Sequence, residues 1–138
     1  MVFHARAIGS GGRAGRGRRL SRYFTAPEIL AEEVERVFTR QWLCIDREER
    51  IAKPGDYFLH EFAGESIIIL RDQGGTVRAF YNVCRHRGSK LCEEHQGQLS
   101  ETLQCPYHAW TYGLDGRLIG APATHDLEGF RKQDWPLK

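Results

Sequence analysis

Apolar residues recur along this chain with two different periods, and the period changes near Trp42. In "TAPEILAEEVERVFTRQW", Leu30, Val34, Val37 and Phe38 fall on one face at helical spacing. Thr25 is placed to cap this helix, Pro27 fits its first turn, and Glu28 completes a T-x-x-E capping box. Such an apolar face predicts a helix packed against the rest of the domain. Beyond Trp42 the runs shorten. "YFLHEF", "SIIILRD" and "TVRAFYNV" read as strands, separated by "AGE" and by a turn at Asp72 to Gly75, with another turn at Pro54-Gly55. "TLQ" reads as a further strand end, and "WTYGLDGRLI" as a hairpin with Asp115-Gly116 at its tip. The pattern predicts a mainly β domain of small antiparallel sheets, preceded by one amphipathic helix.

Charge alters the picture only at the start of the chain. Residues 1–22 hold six arginines and no acid, which leaves 14 bases against 18 acids in the remainder. The folded part is therefore mildly acidic, which argues against nucleic acid as its partner. The leader "GSGGRAGRGRRL" lacks the apolar residues needed to offset the cost of ordering and reads as disordered over 1–20. An RNA-binding arm or a transit-like peptide is the lesser alternative for that segment. It has no apolar core of the secretory type, and no run in the chain approaches a membrane span, the longest being Ile67 to Leu70. The expected setting is cytoplasmic and reducing, where metal ligation suits the four cysteines better than disulfides do.

Two stretches hold the candidate chemistry. "NVCRHRGSKLC" contains Cys84-x-His86, and "QCPYHAW" contains Cys105-x-x-His108, with 18 residues between His86 and Cys105. Both lie on loops that leave strands, where a rigid sheet can hold ligands in place. A tetrahedral Cys₂His₂ zinc site would accept this set. Its familiar form groups both cysteines in one loop and both histidines in another, whereas here each loop supplies one of each. A [2Fe-2S] cluster with two cysteines on one iron and two histidines on the other suits the mixed pairs better. Cys44, in the apolar "WLCI", is expected to be a buried core residue. Cys92 lies between the two loops, near enough that a role at the site is the lesser reading, and His4, His60, His95 and His125 show no ligand spacing.

"CRHRGSKL" and "CPYHAWTYGLDGRL" resemble the cluster-binding boxes of Rieske domains, specifically those in the α subunits of ring-hydroxylating oxygenases. Arg87-Gly88, Cys105-Pro106-Tyr107-His108, Trp110, Tyr112 and Asp115-Gly116 share in the likeness, which covers about residues 23 to 138. The resemblance implies a leader over 1–20, a helical segment over 21–42 and a Rieske [2Fe-2S] domain over 43–138. It implies Cys84 and Cys105 as ligands of one iron and His86 and His108 as ligands of the other. High-potential Rieske proteins carry an extra, disulfide-forming cysteine in each loop; Ser89 and Tyr107 stand at those places here. The cluster is accordingly expected in the lower part of the roughly −150 to +300 mV Rieske range.

In the α subunits that the chain resembles, such a domain passes electrons from a reductase or ferredoxin to a mononuclear non-haem iron that activates O₂. That iron is held by two histidines and a carboxylate. After His108 only His125 remains, so the chain alone is expected to be catalytically incomplete and to hold no catalytic residue of the oxygenation itself. The partners implied are the electron donor and a catalytic domain of the same or a neighbouring subunit, with a homotrimer as the assembled form. Arg85, Arg87 and Lys90 form either a plain solvated face or a docking site for an acidic partner. A stand-alone Rieske ferredoxin is the competing class, and a zinc-stabilised interaction module the third. Substrate class is left open between aromatic rings and quaternary amines.

Overall fold

The computed structural model describes residues 22–138, so the basic Gly/Arg leader and His4 lie outside the described residues. The chain forms two compact units, one reaching to Asp46 and one running from Arg47 to Lys138.

In the first unit the expected single helix is broken. Helix α1 (Arg22–Thr25) ends one residue before Ala26, which is extended (φ −82°, ψ 121°), and α2 (Pro27–Arg36) follows. Proline disfavours helical geometry in the residue before it, so Pro27 forces the interruption and then starts the new helix. Thr25 is therefore the last residue of α1, and the cap position falls to Ala26, which makes no side-chain cap hydrogen bond. The predicted capping box does not form. Glu28 still supplies negative charge to the first turn, where the helix dipole favours it. The helix stops short of Trp42, giving way to a 3-10 turn at Phe38–Arg40. There Thr39 Oγ1 and Arg40 Nε both donate to the Glu35 carbonyl, at 3.0 Å each. The apolar face exists, but no residue of α2 is buried. Val34 and Phe38 are half-buried, while Leu30 and Val37 are exposed.

The second unit is built on two antiparallel sheets. Strands β1 (Asp56–Phe62), β2 (Glu65–Arg71), β3 (Val77–Tyr81) and β4 (Gln96–Gln98) form the first, in the order β3-β2-β1-β4. Strands β5 (Thr102–Gln104), β6 (Thr111–Gly113) and β7 (Leu118–Gly120) form the second, in sequence order. The Ile-rich run makes β2 a strand buried on both faces, because alternate side chains point oppositely. Ile68 and Leu70 enter the main core with Leu103, Tyr112, Leu114 and Leu118. Ile69 pairs with Phe58 across the sheet, and Ile51 of a 3-10 turn (Glu48–Ile51) is buried as they are. Positive φ at Ala63 (52°) and Gly64 (84°) makes the two-residue connection between β1 and β2.

The mainly β architecture is as the apolar pattern predicts, and so is the hairpin of β6 and β7. Gly116 at its tip has φ 86°, and a Cβ there would meet the Phe80 ring at 2.6 Å, which is why glycine is required. Leu137, buried near the end of the chain, donates its N–H to the Gly116 carbonyl at 2.8 Å, and Tyr81 donates to the Lys138 carbonyl at 2.7 Å. These bonds tie Leu137 and Lys138 to the tip of one sheet and the edge of the other.

Candidate metal centre

Each Cys/His loop folds into the same backbone turn. The Cys84 N–H donates to the Ser89 carbonyl at 2.8 Å, and the Gly88 N–H returns to the Cys84 carbonyl at 3.0 Å. Cys105 repeats both bonds at the same offsets: its N–H donates to the Trp110 carbonyl at 2.8 Å, and the Ala109 N–H donates to its carbonyl at 3.0 Å. In both turns the fourth residue after the cysteine has positive φ, 75° at Gly88 and 55° at Ala109. Glycine takes that conformation freely, whereas alanine is strained by it. A local recurrence of two residue types has thus become a structural repeat, with one cysteine and one histidine presented by each copy.

The turns bring like with like. Cys84 and Cys105 are both 2% exposed and belong to the same core cluster. The imidazoles of His86 and His108 face each other edge-on, with ring centroids 4.8 Å apart. Their Nδ1 atoms are buried and have no hydrogen-bond partner. Burying a polar nitrogen with no partner is costly, so two of them side by side require something to bind. Among the described residues no three Cys, His, Asp or Glu side chains converge as the ligands of one ion. Thiol pairs with thiol and imidazole with imidazole, the division that a two-iron group asks for and that four ligands of one zinc do not. The donor set therefore fits a [2Fe-2S] cluster.

Protonation agrees with that use. Burial pushes the Cys84 thiol above its ordinary pKa, with the neighbouring Cys105 adding to the rise. A metal must displace that proton to bind. Burial, then the charges of His108 and Arg87, lower the pKa of His86 and favour the neutral imidazole, which is the ligand form.

Around these four side chains the structure adds partners. The Tyr112 hydroxyl lies 3.4 Å from Cys84 Sγ and accepts the Arg85 N–H at 3.1 Å, which leaves its own proton free for the sulfur. Burial raises the pKa of that hydroxyl, so it remains a donor. Trp110 lies flat on His86, with centroids 4.8 Å apart and planes at 8°, and Tyr107 covers His108 at 3.7 Å and 35°. Trp110 meets Phe130 and Trp135 edge-on, each at 5.8 Å. The two imidazoles and this aromatic group line a cleft of about 540 Å³.

Asn82 was not singled out by its sequence, yet it sets the first loop. It is fully buried; its Oδ1 accepts from the Leu91 and Cys92 N–H groups at 2.9 and 2.8 Å, and its Nδ2 donates to the Cys92 carbonyl at 2.7 Å. Its one sequence signal is a polar amide inside the apolar "FYNVC". Trp135 and Phe130 carried no signal, since their contacts lie far back in the chain.

The other candidates have surroundings of their own. Cys92 is buried against Tyr57, and burial pushes its thiol up to about 11. Cys44 is exposed, not buried in the core as its apolar neighbours predict. It sits in extended chain, where Leu43 and Ile45 take the half-buried side and leave Cys44 the other. His60 stacks on Phe62, His95 is exposed, and His125 pairs with Asp126 on the surface. Arg87 and Lys90 are exposed beside the first loop, while Arg85 is half-buried with its guanidinium 5.8 Å over the Trp135 ring.

Residues 41–131 match the model of the Rieske [2Fe-2S] domain. The chain is 38% identical over 112 residues to the carnitine monooxygenase oxygenase subunit of Acinetobacter baumannii, covering 81% of this chain and 30% of that one. It is 35% identical over 124 residues to the biphenyl 2,3-dioxygenase α subunit of Rhodococcus jostii, covering 88% and 27%. Among solved structures, a quaternary ammonium Rieske monooxygenase with L-carnitine bound superposes with a TM-score of 0.79 at 36% identity, over 85% of this chain and 33% of that one. The chain thus spans no more than about a third of the length of these relatives.

Proposed function

The chain belongs to the Rieske [2Fe-2S] domain family, and on that footing we propose that Cys84 and Cys105 hold one iron of the cluster and His86 and His108 the other. The observation that carries this reading is the pair of buried, unpartnered Nδ1 atoms set beside a buried pair of thiols, on two turns of identical hydrogen bonding. The cluster supplies one-electron transfer, at a higher potential than an all-cysteine cluster because two neutral imidazoles replace two anionic thiolates.

The chain's own residues perform the rest. Tyr112 directs its hydroxyl proton to Cys84 Sγ, and the Arg85 N–H fixes that hydroxyl in place. Trp110 and the aromatic residues behind it keep water from the inner face of His86. Both imidazoles line the open cleft, so a cluster held by them would exchange electrons through that side. Exposed Arg87 and Lys90 give the first loop a positive charge suited to an acidic electron donor.

The function that follows is electron transfer within a Rieske-type oxygenase α subunit, from a reductase or ferredoxin to a mononuclear iron held by a catalytic domain of the same or a neighbouring subunit. The matches favour this over a stand-alone ferredoxin, because long stretches of the chain align with oxygenase subunits. A carnitine monooxygenase and a biphenyl dioxygenase match at 38% and 35% identity, so the shared part is the electron-transfer module and substrate choice resides elsewhere. Four free cysteines suit a reducing compartment such as the cytoplasm, and among the described residues no helix is long and apolar enough to cross a membrane.

The test is anaerobic purification followed by iron and acid-labile sulfide analysis and EPR of the reduced protein. Near-equal iron and sulfide, with a rhombic signal of low average g, is the expected outcome. A colourless protein containing zinc would overturn the proposal.

A further inference from the structure

The two turns match in every backbone hydrogen bond, yet their histidines occupy different places. His86 is the second residue after its cysteine, and His108 is the third after its own. Tyr107 therefore occupies, in the second turn, the place that His86 takes in the first. Both imidazoles carry an aromatic ring on one face, but the two rings differ in origin. Trp110 is 4% exposed and belongs to the core; Tyr107 is 61% exposed and reaches its histidine from the surface, at a centroid distance of 3.7 Å. An exposed aromatic ring gives up freedom by lying on a neighbour, so the contact is worth explaining.

We propose that Tyr107 is a positioning residue: its ring clamps His108 and closes the imidazole's outer face to water, doing from the surface what Trp110 does for His86 from the core. This rests on the reading that His86 and His108 bind the cluster. Excluding water lowers the local dielectric and disfavours the more charged, reduced state, so the ring holds the midpoint potential down. It also slows the loss of the imidazole from its metal. The hydroxyl plays no part, since the contact with His108 is ring on ring.

The experiment compares the cluster-loaded protein with Tyr107→Phe, Tyr107→Leu and Tyr107→Ala. Because the side chain is mostly exposed, its truncation spares the core. Iron and sulfide per chain are measured first in the unmodified protein; their absence there overturns the cluster reading, before any variant is compared. Three readouts then follow: deuteron coupling to the reduced cluster in D₂O by pulsed EPR, the midpoint potential, and the rate of bleaching by a chelator. Tyr107→Ala is expected to gain deuteron coupling, to shift the midpoint upward and to bleach roughly three- to tenfold faster, the scale of an aromatic pair. Tyr107→Leu should fall between, and Tyr107→Phe should match the unmodified protein throughout. Unchanged coupling and midpoint in Tyr107→Ala overturn the proposal, as does a Tyr107→Phe variant that behaves like Tyr107→Ala.

Discussion

Tyr112 and Asn82 show how single side chains set the properties of this centre. When Cys84 is a thiolate, only the Tyr112 hydroxyl can donate in their 3.4 Å contact, and such a bond favours the electron-rich state of the sulfur. Tyr112→Phe should keep the spectrum and lower the midpoint by on the order of 50 mV, about a tenfold change in a one-electron equilibrium; a redox titration followed by EPR reads this directly. Asn82 acts on the backbone of the first loop. Replacing it with Ala strips two N–H groups and one carbonyl of their partner within the core, and each stranded group costs about 1–3 kcal/mol. Asn82→Ala should therefore lower unfolding stability by roughly 3 kcal/mol or more and impair cluster retention, as denaturant melts monitored by visible absorbance would show. The four Cys and His residues of the candidate site were legible in the sequence because their types and spacings are local. Asn82 was not, because its partners Ser66, Leu91 and Cys92 are brought to it by the fold.

At the scale of the element, the two turns make a matched pair with one difference. Gly88 and Ala109 both have positive φ, and a Cβ at Gly88 would touch nothing within 4 Å. Gly88→Ala therefore isolates backbone strain and should cost about 1 kcal/mol. Ala109→Gly relieves strain while freeing the unfolded chain, so its stability should change by less than about 1 kcal/mol, in the stabilising direction. Chemical denaturation of both variants tests whether the turns are equivalent.

The turn between β2 and β3 supplies a pH dependence. Burial pushes the Asp72 carboxyl up, but Arg78, the Thr76 and Gly74 N–H groups and the Arg78 charge together hold it below the ordinary carboxylate value. A carboxyl depressed on folding stabilises the protein above its unfolded pKa of about 3.9, and that contribution is lost as pH falls through the lower folded value. Stability should decline more steeply below about pH 4 in the unmodified protein than in Asp72→Asn, measured by thermal melts across the acid range. Elements read less faithfully where neighbours intervene. Pro27 broke the predicted helix through its effect on Ala26, and an average over "WLCI" hid the alternation that leaves Cys44 exposed. Polar β4 pairs with β1 because Gly97 leaves room for the Tyr57 ring, whose atoms come within 2.9 Å of where a Cβ would stand.

For the whole molecule, the central claim is a division of labour between thiols and imidazoles across two irons. It joins the sequence likeness, the family match over residues 41–131 and the inward-facing nitrogens into one account. Absence of a disulfide between the loops, with Ser89 and Tyr107 at the relevant places and all cysteines free, keeps the expected potential in the lower part of the roughly −150 to +300 mV range. The most direct measurement is nitrogen-resolved pulsed EPR of the reduced protein, alongside His86→Cys and His108→Cys. The account predicts two strongly coupled nitrogens in the unmodified protein and one in each variant that retains iron. A single coupled nitrogen at the outset, or a spectrum that neither substitution alters, would contradict it.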